Sequence, residues 1–310
     1  MAITFNRSAI ARRPWSALRH LPFVAKWAGQ RFFRRLTARW RTLPDFVIIG
    51  AQRCGTTSLY NYLVDHPGVA TAFMKETHFF DLHFSKGLGW YRAHFPLVST
   101  GRRVAGPPRP VVGEATPYYL FYPHAAPRLR AALPEAKLMV LLRNPVDRAY
   151  SHYHHEVSMG VETLSFEEAL SREESVLPAE TARITADGRY RSFAHFHGSY
   201  LARGIYIDQL VPWIHSSPPD AVRQGWGCTL TNDNLMIIRS ESFYADPAAV
   251  VRQVFAFLGL PAWTSGTYKK YNLAHYDGMN PATRERLAAF YRPHNQRLYE
   301  AFGMDLGLDG

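Results

Sequence analysis

The stretch GAQRCGTT, residues 50–57, decides the fold of this chain. It follows the apolar run Phe46–Ile49 and precedes a helix predicted to begin near Thr56, and this strand–loop–helix order is the setting of a phosphate-binding loop. The phosphate loop of a nucleoside triphosphatase reads G-x-x-x-x-G-K-[ST]. Both glycines are in register here, but Thr56 stands at the lysine position and Arg53 lies inside the loop. The stretch therefore predicts an anion-binding loop without the lysine of a triphosphatase.

Two further apolar runs, 137–142 and 235–238, predict buried strands. Helical periodicity appears over 124–133, 145–157, 166–174, 247–258 and 281–301. Continuous apolar strands among helical segments are typical of a parallel sheet that is covered on both faces. We therefore predict an α/β fold, a single P-loop-like domain whose central parallel sheet is flanked by helices.

Two segments without clear periodicity are predicted to be surface loops. One is the Pro- and Gly-rich segment 101–110, and the other is 175–198, which leads into the aromatic- and histidine-rich run YRSFAHFHGSY. The chain is divided into a basic N-terminal arm, 1–43, and one domain, 44–310, in which 175–198 is an insertion.

The chain is basic, with a formal net charge of +11. Such an excess favours an anionic partner, whether a nucleotide, a nucleic acid, an acidic glycan or a lipid surface. Much of the excess is local, because residues 7–41 hold nine arginines, one lysine and no acidic residue. The two cysteines, Cys54 and Cys228, make neither a disulfide framework nor a zinc site, and their number fits a reducing compartment.

The basic arm allows two interpretations. Its mixture of Trp, Phe and Arg is typical of a helix that lies on an anionic membrane. It equally fits a basic first helix that packs on the body of the protein and is interrupted at Pro22. No run approaches the ~18 apolar residues needed to span a bilayer. No apolar segment follows the twin arginine at 12–13, so we predict no export signal.

The residue after the strand at 137–142 argues against nucleotide hydrolysis. A phosphate-loop triphosphatase holds magnesium partly with an Asp after its second apolar strand, whereas this chain has Arg143. Arginine binds no metal, but its planar fork of donors suits a phosphate. The replacements at Thr56 and Arg143 therefore both favour a nucleotide that binds without metal and carries an additional phosphate.

Six segments resemble one enzyme family, and they occur in the family's order. They are GAQRCGTTSLYNYL (50–63), KETHFFD (75–81), GEATPYYL (113–120), VLLRNPVDRAYSHYHH (140–155), RGIYIDQLVPW (203–213) and MNPATRERLAAFYRPHNQRLYEAFGMDLG (279–307). Together they resemble sulfotransferases that use 3′-phosphoadenosine-5′-phosphosulfate (PAPS), closest to the branch of heparan sulfate sulfotransferases and bacterial sulfotransferase-domain proteins. The resemblance runs from about Pro44 to the C-terminus.

The resemblance implies which residues bind the donor. The 5′-phosphosulfate would lie on the loop residues Arg53, Cys54, Gly55, Thr56, Thr57 and Ser58. Arg53 replaces the family's lysine and would help the departing phosphate with the same charge, but as a planar fork of donors rather than a point charge. Arg143 and Ser151 match the pair for the 3′-phosphate and should face one crevice at the carboxyl end of the strands. Further donor contacts are implied for Tyr206, Lys269, Lys270 and Asn272.

Several of these side chains could instead have a purely structural role and not contact the donor. Thr57 or Ser58 could cap the helix that follows the loop. Lys269 could belong to a solvated basic loop, and Ser151 could bond back along its own helix. Arg148 is expected to be a charge on the helix surface without a role in the site.

Glu76 is the candidate general base. Sulfuryl transfer requires the acceptor to lose a proton, and the matching glutamate of the resembling glycan enzymes takes it. Burial beside Phe79 and Phe80 would raise the pKa of Glu76 and make it a better base. The alternative is an ordinary surface ion pair with Lys75, a residue that we otherwise expect to contact the acceptor.

His78 is the rival base, and alternation along an extended segment would place it on the same side as Glu76. Asp81 would orient one of these two side chains or the acceptor. The neighbouring histidines at 154–155 point apart on a helix, and no set of carboxylates and histidines surrounds them. We therefore predict no metal site.

One position departs from the glycan-modifying members of the family. They carry a lysine after the glutamate of the GEATP segment, where this chain has Ala115. Lys75, Lys269 or Lys270 could supply the missing cation. We predict a metal-independent, PAPS-dependent sulfotransferase that modifies a hydroxyl or amine of a glycan, a glycolipid or a small molecule, with 175–198 shaping the acceptor side.

Two other functions remain open from the sequence. The chain could bind an anionic membrane or a nucleic acid through residues 1–41, or it could be a phosphate-loop kinase. No element that reads nucleic acid is recognisable, so we predict no nucleic-acid partner. We expect the enzyme in the cytoplasm, where the donor is made, or held at the inner face of a membrane by residues 1–41.

Overall fold

A computed structural model describes residues 29–98, 109–214, 223–225, 228–230, 234–264, 266–269, 271, 278–303 and 307–309. Its strands are β1 (Phe46–Gly50), β2 (Val69–Thr71), β3 (Val111–Ala115), β4 (Lys137–Leu142), β5 (Arg223–Gly225), β6 (Cys228–Leu230) and β7 (Leu235–Arg239). They form one sheet in the order β2-β3-β1-β4-β7-β6-β5. The five strands from β2 to β7 are parallel, and β6 and β5 add an antiparallel hairpin at one edge.

One helix precedes the first strand, and the others lie between the strands or after the last one. They are α1 (29–36), α2 (Thr56–Val64), α3 (Leu88–Arg92), α4 (Ala125–Ala132), α5 (Pro145–Ser158), α6 (Phe166–Ala186), α7 (Phe193–His197), α8 (Tyr206–Leu210), α9 (Ser240–Ala245), α10 (Pro247–Leu258) and α11 (Pro281–Phe302). Every residue of β1 is buried, as are all residues of β4 except its first. The continuous apolar runs therefore form central strands, and the predicted α/β fold with a parallel sheet between helices is confirmed.

The order of the strands positions the site. β1 lies between β3 and β4, so the chain runs to one side of β1 for β2 and β3 and to the other side for β4. Ligands of open α/β sheets bind at such a switch point, beyond the carboxyl ends of the strands. The loop after β1 and Arg143 after β4 consequently lie side by side.

The prediction that 175–198 is a surface loop is wrong. α6 continues to Ala186 through Pro178, and α7 forms within the rest of the segment. A capping box between Ser165 and Glu168 starts α6. Further along the helix, the buried side chains of Leu170, Leu177 and Ile184 recur every seven residues on one face.

Two other expectations are affected by the structure. Arg148 is completely buried, with its guanidinium donating to the carbonyl of Tyr200, so the expectation of a surface charge is wrong. Of the predicted loop 101–110, only residues 109 and 110 are described, and residues 1–28 of the basic arm also lie outside the described residues.

Candidate active site

The loop between β1 and α2 has the geometry of an anion site. Gly55 caps the start of α2 with φ +100°, and no side chain occupies the cap position. A Cβ added to Gly55 would lie 2.8 Å from the Tyr244 hydroxyl oxygen, so glycine is required by both backbone and space. The first amides of α2 are therefore left for an external acceptor, and the helix dipole favours a negative one.

The two motifs expected to bind the donor meet in space. Arg53 has φ 69° and donates from Nε to Ser151 Oγ on α5 at 3.2 Å, across 98 residues of chain. Ser151 is buried, and Arg143 follows directly after β4 on the same edge of the sheet. An anion on the loop and a second anion beside Ser151 would therefore be bridged by one stretch of basic surface.

Tyr206 and Cys54 are buried beneath this basic surface. Tyr206 is buried and donates its hydroxyl to the carbonyl of Arg143 at 2.9 Å, so its side chain positions the backbone of that arginine. Cys54 lies 3.8 Å from the same hydroxyl, and burial raises the pKa of its thiol to about 11. At neutral pH this thiol is therefore protonated and has no nucleophilic character.

The remaining expected donor contacts lie at different depths. Thr56 is buried at the start of α2, and Ser58 is buried with its hydroxyl accepting the Tyr271 amide at 3.3 Å. Lys269 is exposed, and its carbonyl accepts the Tyr62 hydroxyl at 2.9 Å, which holds this short segment beside α2. Lys270 and Asn272 lie outside the described residues.

The segment after β2 brings the predicted catalytic side chains together. Lys75 Nζ donates to Thr57 Oγ1 at 2.7 Å and to Glu76 Oε1 at 2.9 Å. Glu76 Oε2 lies 3.6 Å from His78 Nε2, and His78 Nδ1 lies 2.8 Å from Asp81 Oδ2. The four charged groups thus form a continuous chain that begins at the phosphate loop.

The pKa values of Glu76 and His78 are set by their charged neighbours, and the pKa of Glu76 is not raised as expected. Burial disfavours the charged form of Glu76, but bonding to His78 and to Lys75 outweighs burial and lowers its pKa to about 2. Burial likewise disfavours the charged form of His78, but the carboxylates of Asp81 and Glu76 outweigh it and raise its pKa to about 10. The predicted raised pKa of Glu76 is wrong, and His78 is an imidazolium at neutral pH.

Phe79 and Phe80 do not bury Glu76, whose side chain is 40% exposed. They belong instead to a buried aromatic cluster in which Phe79 stacks on Tyr91 at 4.6 Å between ring centroids. His78 keeps one aromatic neighbour on the open side, the ring of Phe196 on α7 at 5.8 Å.

A buried carboxyl holds the segment that carries the predicted catalytic side chains. Glu114 at the end of β3 accepts the Thr77 hydroxyl at 2.8 Å and the Thr77 amide at 3.3 Å. Three other buried hydroxyls complete its coordination, those of Tyr91 at 2.6 Å, Thr116 at 2.7 Å and Tyr119 at 3.1 Å. Because Thr77 stands between Glu76 and His78, Glu114 fixes the backbone that carries both.

A family model for the sulfotransferase domain matches residues 43–277 of this chain. The chain belongs to the sulfotransferase domain family. The crystal structure of a sulfotransferase from Alicyclobacillus acidocaldarius superimposes with a TM-score of 0.64 at 32% sequence identity, over 86% of this chain and 99% of that one. The resemblance inferred from the six segments is therefore confirmed.

Two curated proteins extend the comparison. The membrane-associated sulfotransferase kil1 of Dictyostelium discoideum is 26% identical over 332 residues, covering 85% of this chain and 66% of that protein. Heparan sulfate glucosamine 3-O-sulfotransferase 3A1 of Mus musculus is 29% identical over 294 residues, covering 87% of this chain and 65% of that protein. This chain thus spans just under two thirds of the length of each of these relatives.

Ala115, the departure from the glycan-modifying members, is buried at the end of β3. Its amide donates to the carbonyl of Lys75 at 2.9 Å, so the two positions are direct neighbours. The ammonium of Lys75 lies between Thr57 and Glu76, and it supplies a cation beside the loop.

Two further residues of the candidate site were missed by sequence reasoning. Arg203 is buried and donates to the Gln52 side chain, to Ser199 Oγ at 2.7 Å and to the carbonyl of Phe196 at 2.7 Å. It ties the phosphate loop to α7. His155, one turn beyond Ser151 on α5, has a pKa lowered by burial and by the charge of Arg53. Only the tertiary structure reveals these positions, where Arg203 is buried and His155 is half-buried.

Proposed function

We propose that this protein transfers a sulfuryl group from PAPS to a hydroxyl or amine without a metal ion. The observation that supports this function best is the contact between Arg53 of the phosphate loop and Ser151 of α5. It joins the segment expected to bind the 5′-phosphosulfate to the segment expected to bind the 3′-phosphate, which are far apart in the sequence.

The residues present fit such a donor. The uncapped start of α2 offers amides to the phosphosulfate, and Lys75 and Arg53 add positive charge beside it. Arg143 and Ser151 offer a guanidinium and a hydroxyl to the second phosphate. Among the described residues, no group of histidine, cysteine, aspartate and glutamate side chains could hold a metal ion.

In the proposed reaction, the acceptor oxygen or nitrogen attacks sulfur in line with the bond from sulfur to the bridging phosphate oxygen. That bond breaks, the new bond to sulfur forms, and adenosine 3′,5′-bisphosphate leaves with the electron pair. Glu76 takes the acceptor's proton, and Arg53 stabilises the charge that develops on the leaving phosphate. His78, held by Asp81, keeps Glu76 oriented.

Lys75 couples donor binding to the strength of this base. The same ammonium contacts Thr57 on the phosphate loop and Glu76, the proposed general base. An anion bound at the loop competes with Glu76 for it, because a cation is attracted to the larger nearby negative charge. We infer that donor binding weakens the bond from Lys75 to Glu76 and raises the pKa of that carboxyl toward the range useful for proton transfer.

The acceptor is proposed to approach from the side of α7. His78 faces Phe196 on this helix, and Phe193 on the same helix is 68% exposed. Aromatic side chains of this kind pack on sugar rings or phenols. The heparan sulfate relative favours a glycan, whereas Ala115 in place of the family lysine leaves a glycolipid or a small molecule as acceptors within the same proposal.

Calorimetric titration with adenosine 3′,5′-bisphosphate in a chelating buffer tests the proposed donor site. We expect binding to the wild type, a large loss in Arg143→Ala and no loss in Arg252→Ala, an exposed arginine on α10 that serves as the control. Lack of binding to folded wild type would contradict the proposal. Binding of ATP only with magnesium would instead support a kinase, for which Thr56 and Arg143 replace the required lysine and carboxylate.

The cytoplasmic location stays part of this proposal and rests on the reducing conditions that suit a free buried Cys54. Within the described part of the chain, no helix is long and apolar enough to cross a bilayer. Fractionation of cells that express the full chain, with the soluble and the membrane fractions compared, tests the location.

A further inference from the structure

Helix α1 is attached to the body of the protein by its polar side. Arg34 donates to the carbonyls of Ala93 at 2.6 Å and Phe95 at 2.9 Å, and its guanidinium lies 4.8 Å from the ring centre of Phe73. Arg41, just beyond the helix, donates to the same Phe95 carbonyl at 2.8 Å. These bonds fix the rotation of α1 about its axis.

The apolar side of α1 therefore points away from the body. At about 100° per residue, Phe32, Phe33 and Leu36 share an arc roughly opposite Arg34. They are 66%, 57% and 63% exposed, and Trp40 just after the helix is 52% exposed. A helix on the surface of a globular protein ordinarily buries this arc, so the orientation is the reverse of the usual one.

Basic residues border this apolar arc. Arg31 and Arg35 are exposed on one flank of α1, and Arg39 is exposed beside Trp40, with its guanidinium 4.1 Å from the ring centre. We name the surface of Arg31, Phe32, Phe33, Arg35, Leu36, Arg39 and Trp40 the N-terminal face. An apolar strip bordered by arginines is the composition that binds the boundary between lipid headgroups and acyl chains.

The positive charge continues from the N-terminal face toward the catalytic segment. Lys86 is largely exposed, and partial loss of its water shell together with the positive charges of Arg31, Arg191 and Arg35 lowers its pKa. Arg191 donates to the carbonyl of Leu82, the residue after Asp81, at 2.6 Å. The basic surface therefore extends from α1 to the end of the catalytic segment.

We propose that the N-terminal face binds the surface of an anionic lipid bilayer and that Lys86 and Arg191 extend this contact toward the active site. The apolar side chains enter the headgroup region while the arginines pair with lipid phosphates, and charge complementarity selects this occupant. The binding itself does not depend on the proposed sulfuryl transfer. Where both hold, the enzyme works on acceptors carried at that surface.

Sedimentation with vesicles tests the proposal on the full chain. The probes are vesicles of phosphatidylcholine alone and vesicles of phosphatidylcholine mixed with phosphatidylglycerol. We expect the wild type to bind the mixed vesicles and to be released as salt rises from about 0.1 M to about 1 M, since the screening length falls from ~10 Å to ~3 Å. A double variant, Phe32→Glu with Phe33→Glu, should lower partitioning by about a hundredfold or more, because each phenylalanine contributes ~1.5–3 kcal/mol when its side chain leaves water and ~1.4 kcal/mol corresponds to tenfold.

Controls keep the result interpretable. Phe290→Glu changes a partly exposed phenylalanine on α11 and should bind like the wild type, and Arg35→Glu with Arg39→Glu should lose binding through charge alone. The proposal is overturned if the full chain ignores anionic vesicles, if the phenylalanine variant binds normally, or if only a chain lacking residues 1–28 binds. It is also overturned if the phenylalanine variant converts a dimer to a monomer in sedimentation velocity, because the face is then an interface between copies.

Discussion

Replacing Asp81 by asparagine should lower the pKa of His78. The carboxylate of Asp81 is fully buried and lies 2.8 Å from His78 Nδ1, while Glu76 lies 3.6 Å from the other ring nitrogen. Burial opposes protonation of this imidazole, and the two carboxylates together raise its pKa from 6.5 to about 10. Asparagine keeps the shape of Asp81 but removes the charge.

The size of the effect follows from the bond that is lost. A hydrogen bond between charged groups contributes ~1.5–3 kcal/mol, and one pKa unit corresponds to ~1.4 kcal/mol. The pKa of His78 should therefore fall by about one to two, to roughly 8–9. It should stay above the ordinary value, because Glu76 remains in place.

Carbon-13 NMR of histidine-labelled protein measures this pKa directly. The chain has 14 histidines, so the His78 signal is assigned by its loss in His78→Gln. The reasoning would be refuted if wild-type His78 titrated near 6.5, or if the pKa of His78 were the same in Asp81→Asn as in the wild type. Either result would mean that the charged side chains from Lys75 to Asp81 do not interact as described.

Stability provides the independent check. The folded-state pKa of His78 lies above its unfolded value, so its contribution is complete below about pH 6.5 and is lost as pH rises through about 10. Asp81→Asn should accordingly destabilise the protein more at pH 6 than at pH 10 in urea unfolding. The same change made in a His78→Gln background should show no such difference between the two pH values.

Three other changes test the site. Arg53→Lys restores the family's residue and should lose only the contact with Ser151. Binding of adenosine 3′,5′-bisphosphate should stay within about tenfold of the wild type, because the positive charge is kept. A complete loss of binding in calorimetry would contradict this account of how the loop binds the donor. Glu114→Ala leaves four buried hydroxyls without their acceptor and should destabilise the fold by ~3 kcal/mol or more, with Glu114→Gln closer to the wild type in thermal melting. Native Cys54 should resist iodoacetamide until unfolded, because its thiol has a pKa of about 11 and is buried; rapid labelling seen by mass spectrometry would contradict this.

Much of the fold is readable from the sequence where one residue pattern has one meaning. Apart from Lys137 at the start of β4 and Arg239 at the end of β7, the strands β1, β4 and β7 contain no polar side chain and are buried on both faces. β3 was not predicted from the sequence. Its residues VVGEA include a glycine and a glutamate, which are both unfavourable in a strand when the segment is considered alone. The glutamate is explained only by hydroxyls that arrive from α3, from the catalytic segment and from the residues after β3.

The length of helix α6 could likewise not be predicted from local sequence alone. The predicted helical periodicity ends at residue 174, and Pro178, a residue unfavourable inside a helix, lies shortly beyond that point. Tertiary packing decides otherwise, because Leu177 and Ile184 continue the buried stripe of Leu170 beyond the proline. Propensity was outweighed by burial of a few side chains whose partners lie elsewhere in the chain.

Motif positions in the site were foreseeable, whereas ionisation states were not. The spacing within KETHFFD placed Glu76 and His78 together, which the structure shows. Whether Glu76 has a raised or a lowered pKa depends on which neighbour dominates, and the bonds to His78 and Lys75 outweigh burial. Arg148 was taken for a surface charge because its buried surroundings are formed by residues about 50 positions later, such as Tyr200.

Ala115 and Lys75 together bear on the choice of acceptor. The family lysine missing at Ala115 would project from the end of β3, whereas Lys75 comes from the neighbouring segment, whose backbone is bonded to Ala115. Its ammonium already contacts Thr57 and Glu76, so it can neutralise the donor or restrain the base, but it has no second charge to offer an acidic acceptor. A polyanionic chain that needed a cation at Ala115 would therefore bind less well here. The exposed basic residues toward α1, which include Lys86 and Arg191, lie on the side from which a charged headgroup could be held instead.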